Sequence, residues 1–224
     1  MKNLCIIPAR GGSKRIPKKN IKPFLGKPII SYSIETALNS HLFDEVMVST
    51  DDEEIAKIAI KFGAKVPFFR TIETANDIAP LNDVVFEVIN KYKDLNIIFD
   101  FACLILPTSP LINIQNLEKG LNLLKNSRFD SIRPIVRFGF PIQRAFRLTD
   151  KNEVLPINIS DFSKRSQDLE PTYHDSGQFY WFKGNKDLSK NKGAFEISEL
   201  QAQDIDNETD WKLAELKYKL LFNK

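Results

Sequence analysis

Cysteine and histidine are both scarce, with two of each in 224 residues. Cys5 and Cys103 sit inside apolar runs, the setting of buried reduced thiols in a cytoplasmic protein. His41 and His174 lie far apart, and no CxxC or HxxxH pair is present. That excludes a zinc reading and leaves any metal as a hard ion held by carboxylates. Long hydrophobic runs are also missing. Stretches such as Phe101 to Pro107 are strand-sized, well short of the ~20 residues a membrane helix needs. Pro8, Arg10 and Gly11 cut the first apolar run after Ile7, so no secretory h-region forms. The expectation is a cytoplasmic chain without a membrane partner. Acid is absent from the first 34 residues, which carry eight Lys/Arg, whereas the remainder is net −5. A basic head on a mildly acidic body points to a local anionic ligand. Residues 9–23 hold no aromatic, which argues against a nucleic-acid reader stacking bases on that head.

What is present is an ordinary globular balance, 42% hydrophobic and 27% charged. A chain of this length hides roughly 70% of its unfolded surface, so it needs no staple. One domain over 1–224 is expected. Asn3 to Pro8 reads as a buried strand, followed by a long basic loop over 9–28. The pattern then runs helix Ile29–Leu38, strand Glu45–Ser49, helix from Asp51/Asp52 to Phe62, and a short strand Ala64–Val66. It continues with helix Asn82–Tyr92, strand Asp100–Leu106, helix Ile114–Leu124 and strand Ser131–Val136. Strands alternating with helices of this length mean βαβ crossovers: an α/β fold with a mostly parallel sheet and helices on both faces. In such sheets the ligand lies off the carboxyl ends of the strands, so the loops after Ile7, Val48 and Leu106 should converge. From 137 to 182 the texture turns to short, Pro- and Arg-interrupted pieces. These read as a hairpin excursion, a dimer arm or substrate lid, before Gln178–Phe182 returns as an aromatic strand. Asp206–Leu221 closes the chain as a helix.

Three segments can carry chemistry. The first is Pro8-Ala-Arg-Gly-Gly-Ser-Lys-Arg-Ile-Pro-Lys-Lys-Asn20, directly after a strand. Gly11 and Gly12 let backbone approach a ligand and turn amides inward, and Arg10, Lys14 and Lys19 add mobile positive charge. A lone charge run is usually a solvated face; the glycine pair, the strand before it and the missing acids favour a polyphosphate here. It is neither a Walker loop nor a GxGxxG turn. The second is Asp204-Ile-Asp206. In an extended segment residues i and i+2 point the same way, ~7 Å apart, so two carboxylates could grip phosphate-bound magnesium while Ile205 turns into the core. Alone, acids before a helix read equally as caps. Helix capping also explains Asp51 and Asp52. The third is Arg165-Ser-Gln-Asp168 with Tyr173 to Tyr180, either the lining of a polyhydroxy pocket or an ordinary amphipathic strand; the residues leave both open.

The opening motif, the Leu106-Pro-Thr-Ser-Pro110 turn and Asp204-Ile-Asp206 occur in one family's order. The chain resembles the CMP-sialate synthetase group of cytidylyltransferases, which activate nine-carbon keto-sugar acids, over residues 3–221. The resemblance implies a Rossmann-like domain, a dimerisation excursion giving a homodimer, and Mg2+ dependence. It implies a nucleotide site for CTP at Ala9, Arg10, Gly11, Gly12, Ser13, Lys14, Lys19 and Asn20, with Arg70 and Asp77 from the segment Phe68–Asp77. Arg10, Lys19 and Asp206 would be catalytic, with Lys19 stabilising the transition state, and Asp204 and Asp206 would hold the metal. Sialate synthetases usually place Gln before Pro-Thr-Ser-Pro, where this chain has Leu106. The segments Phe140–Ala145, Arg165–Glu170 and His174–Tyr180 look instead like the pseudaminic acid branch. On that likeness Gln143, Arg165, Gln167, His174, Ser176 and Gln178 are the expected sugar contacts. N-acetylneuraminate and legionaminate remain alternative sugars, and a non-catalytic nucleotide- or RNA-binding module the alternative class.

Overall fold

The computed structural model describes residues 1–13, 15–75, 79–184, 186 and 190–222. The chain begins with strand β1 (Asn3–Pro8), whose residues 4–7 have no exposed surface. A basic loop leads through the 3-10 turn Lys19–Ile21 to a minimal hairpin, β2 (Pro23–Phe24) and β3 (Lys27–Pro28). Then come α1 (Ile30–Asn39), β4 (Glu45–Ser49), α2 (Glu53–Lys61), α3 (Ile72–Ala75), α4 (Leu81–Asp94), β5 (Phe101–Ile105), α5 (Ile114–Lys125) and β6 (Ser131–Arg137). The excursion holds a second hairpin, β7 (Phe146–Leu148) with β8 (Val154–Pro156), and the short α6 (Ile159–Phe162). β9 (Tyr173–Asp175), β10 (Phe179–Lys183) and β11 (Lys192–Ile197) rejoin the sheet, and α7 (Glu208–Phe222) follows.

Among the described residues the sheet has seven strands, in the order β11-β6-β10-β5-β1-β4, with β9 on β6. β4, β1, β5, β6 and β11 share one direction; β9 and β10 run against it. The expected α/β sheet with helices on both faces is therefore the fold. Period-two alternation sorts the strands between two cores. Cys5, Ile7, Val46, Val48, Cys103, Ile105 and Trp181 face α1, α2 and α5. Leu4, Ile6, Met47, Ala102, Leu104 and Phe182 face α4.

One expectation changes. Ala64–Val66 is not a strand but a single parallel bridge, Met47 to Lys65, at the sheet edge. The aromatic strand expected at Gln178–Phe182 is β10, which lies between β5 and β6, and β9 joins the sheet beside β6.

A third apolar cluster joins the ends of the chain. Ile16 of the basic loop and Phe24 pack with Ile205, Trp211, Ala214 and Tyr218, and Ile16 and Ile205 are at most 1% exposed. Full burial of such a side chain is worth about 1.5–3 kcal/mol. This contact brings a loop following β1 against the segment entering α7.

Candidate active site

The basic loop leaves β1 at its carboxyl end and is fastened to the end of β4. The Ala9 amide donates to the Ser49 carbonyl (2.9 Å) and the Gly11 amide to Asp51 Oδ1 (2.9 Å). A Cβ on Gly11 would stand 2.7 Å from Asp52 Oδ2 and 3.1 Å from its Cβ, so a larger residue there would push the Asp52 carboxylate aside. Asp52 caps α2, accepting from the Glu54 and Ile55 amides, as capping chemistry anticipates. Asn20, 7% exposed, donates to the Arg10 carbonyl (2.9 Å) and closes the loop. The amides of Ala9, Gly11 and Ser13 donate within the protein, and the side chains of Arg10 and Lys19 bring positive charge to the cavity.

Those side chains surround a cavity of about 330 Å³, walled by Arg10, Ser13, Lys19, Asn20, Arg70 and Asp204 among others. Arg70 reaches it from the end of β4: its guanidinium donates to Ser49 Oγ (3.2 Å) and the Ser49 carbonyl (2.8 Å). Burial lowers its pKa, Asp51 and Glu87 oppose that, and the nearby Arg10 lowers it further. Leu106, Pro107 and Thr108 after β5 close another wall. The loops after β1 and β5 thus meet at the carboxyl edge of the sheet, and that after β4 anchors them.

Asp204 also lines this cavity. Ile205 has no exposed surface, as its expected inward orientation requires. Lys19 donates to the Ile205 carbonyl and lies 3.9 Å from Asp206 Oδ1. Burial lowers the Lys19 pKa, and Asp206 and then Asp204 pull it back up. Arg15 Nη1 is 2.6 Å from Asp206 Oδ2. The Asp204 carboxyl is pushed up, first by partial burial and second by Asp206. No cluster of three or more His, Cys, Asp or Glu suited to a metal occurs among the described residues. Two neighbouring carboxylates nevertheless suit a hard divalent cation whose remaining positions are filled by phosphate oxygens and water.

The expected sugar contacts scatter. His174 and Ser176 line a second cavity of about 260 Å³ that shares Asp204 with the first. Ser176 and Gln178 are each 2% exposed, and Ser176 Oγ and Gln178 Oε1 find no hydrogen-bond partner. The His174 ring packs on Phe138 at 4.9 Å. Gln167 borders a third cavity, beside Phe138 and Glu199. Gln143, which donates to the Glu170 carbonyl (2.8 Å), and Arg165 lie on the excursion and line none of these three. Lys14 and Asp77 fall outside the described residues. Sequence reading missed Arg15 as the partner of Asp206, and Thr74, Leu81 and Val84 as cavity wall. A run of bases does not reveal which one meets an acid far along the chain.

Fold and cavity define an α/β protein with a cationic cleft at the carboxyl edge of a largely parallel sheet. Comparison with known proteins gives that class a family. The cytidylyltransferase family model matches residues 4–205. A pseudaminic acid cytidylyltransferase of Campylobacter jejuni is 43% identical over 98% of this chain and 97% of its own length. The N-acylneuraminate cytidylyltransferase A of Danio rerio is 33% identical over 94% of this chain, which spans 49% of that protein. The solved structure of a CMP:2-keto-3-deoxy-manno-octonic acid synthetase complexed with CTP covers the whole chain at a TM-score of 0.71 and 19% identity, a likeness of fold. The chain belongs to the cytidylyltransferase family.

Proposed function

We propose that this protein transfers the cytidylyl group of CTP to pseudaminic acid, releasing diphosphate. The observation that carries the reading is the single cavity where Arg10, Lys19 and Arg70 meet Asp204, a residue from the other end of the chain. The 43% identity to a pseudaminic acid cytidylyltransferase over nearly both full lengths supports the choice of sugar. In this reading the sugar's anomeric hydroxyl attacks the α-phosphorus in line, and diphosphate leaves from the opposite side. Such transfers depend on positioning and charge stabilisation more than on covalent chemistry. Arg10 and Lys19 neutralise charge building on the departing diphosphate. Arg70, held by Ser49, orients the nucleotide from the β4 side. The sugar acid lies on the Asp204 side of the cleft, next to the cavity of His174 and Ser176.

Asp204 and Asp206 are the residues that would hold Mg2+. When bound, the ion polarises the phosphate and favours the deprotonated nucleophile. Asp206→Ala should lower turnover at least ~100-fold, the usual cost of a lost transition-state stabiliser. Near-wild-type turnover at saturating magnesium would remove the assignment. The sugar is tested by supplying CTP with pseudaminate, N-acetylneuraminate or legionaminate and weighing the products. CMP-pseudaminate should dominate; preference for N-acetylneuraminate overturns the reading. We also take the protein to act as a homodimer through its excursion.

A further inference from the structure

The two acids of the pair are unequally furnished. Asp206 carries two cations, Arg15 at 2.6 Å and Lys19 at 3.9 Å, whereas among the described residues no ion pair holds Asp204. The Asp210 carboxylate accepts the amides of Asp206 (2.9 Å) and Asn207 (3.1 Å), which fixes the backbone under Asp206. Lys19 is 19% exposed and bound to the Ile205 carbonyl. Arg15 is the movable member, with a side chain 71% exposed on a loop. It also borders the main cavity. Exposed ion pairs contribute little and exchange readily.

We infer that Arg15 is a place-holding counter-ion. It occupies the Asp206 carboxylate in the ligand-free enzyme and yields it when a divalent cation arrives with the triphosphate. The released guanidinium turns onto phosphate oxygens, which its planar fork can grip with two hydrogen bonds. The inference rests on the acid pair being the cation site, as proposed above.

Such a residue competes with metal before nucleotide binds and assists nucleotide afterwards, so its removal has effects of opposite sign. The test titrates Mn2+ into the full chain without nucleotide, followed by electron paramagnetic resonance, and measures KM for CTP separately. Arg15→Gln should bind Mn2+ more tightly, by up to about 5-fold, equivalent to ~1 kcal/mol. Its KM for CTP should rise about tenfold, the scale of one lost charge-assisted hydrogen bond. Arg15→Lys should fall between the variant and wild type in both. Mn2+ binding that is weaker, unchanged or undetectable in Arg15→Gln overturns the counter-ion role, and an unchanged KM overturns the transfer to phosphate. Asp206→Asn separates the two readings. If it abolishes Mn2+ binding while Arg15→Gln changes nothing, the place-holder alone fails. If it binds Mn2+ like wild type, the cation site and the place-holder fall together.

Discussion

Ile205 has no exposed surface, yet the residues on either side of it, Asp204 and Asp206, both reach solvent. Its side chain lies in the cluster that also buries Ile16, three positions before Lys19. That cluster, together with the hydrogen bond from Lys19 to the Ile205 carbonyl, sets the separation between the cationic loop and the acid pair. Ile205→Ala should cost about 2–4 kcal/mol, the transfer term plus a cavity, and lower Tm by roughly 5–12 °C in a domain of this size. The surviving folded enzyme should also need more magnesium, because the carboxylates lose their registration against Lys19. Ile205→Val, which keeps most of the volume, should lose under ~1.5 kcal/mol and retain the wild-type magnesium dependence. A thermal melt and a magnesium titration of each variant decide the matter. Lost stability with unchanged magnesium dependence in Ile205→Ala would mean that something else sets the pair.

At the scale of elements, α5 shows how closely helix and sheet are matched. Trp181 of β10 donates its indole N–H to the Leu117 carbonyl of α5 (3.0 Å) and packs against Gly120, one turn on. A Cβ at Gly120 would come within 2.9 Å of Trp181 and 3.2 Å of Phe179, both fully buried rings. Gly120→Ala gains helix propensity, about 1 kcal/mol, but overpacks the core at a typical cost of 1–3 kcal/mol. The net effect should be a lower denaturant midpoint with an unchanged m-value; a raised midpoint would show that α5 can withdraw from the sheet. This tight interface also explains what was legible beforehand. β1, β4, β5 and α5 are visible because both faces of the strands are buried and the helix is apolar on one stripe. β11 was not read as a strand. Its sequence, Lys192-Gly-Ala-Phe-Glu-Ile, alternates exposed and buried, but Gly193 supplies a close approach to Phe129 and Ile132 rather than an apolar side chain. The pattern is genuine and the hydrophobic signal thin. In the site, the basic loop was legible from its charge and punctuation. That Ile16 and Ile205 share one buried cluster was not, since no local pattern encodes packing between opposite ends of a chain.

For the whole molecule, the excursion leaves several large apolar side chains uncovered by its own chain. Phe140, Phe146, Leu148, Ile157 and Ile159 are 52–80% exposed, and several large apolar side chains left exposed on one segment suggest an interaction surface. We propose a second copy of the chain as the occupant, which would also give a role to Gln143 and Arg165, excursion residues that line none of the three cavities described above. Light scattering after gel filtration should give about twice the 25.7 kDa chain mass, and Phe140→Asp with Ile159→Asp should halve it. A two-fold interface would let each arm serve the other subunit's cleft. Mixing and re-equilibrating Asp206→Ala with Arg165→Ala, each inactive alone, should then recover about a quarter of wild-type activity, since half the dimers are mixed and each holds one intact site. A dimer that shows no recovery would confine the arm to assembly. A wild-type chain that elutes as a monomer at micromolar concentration would sink both roles, and Gln143 and Arg165 would then have no route to the sugar.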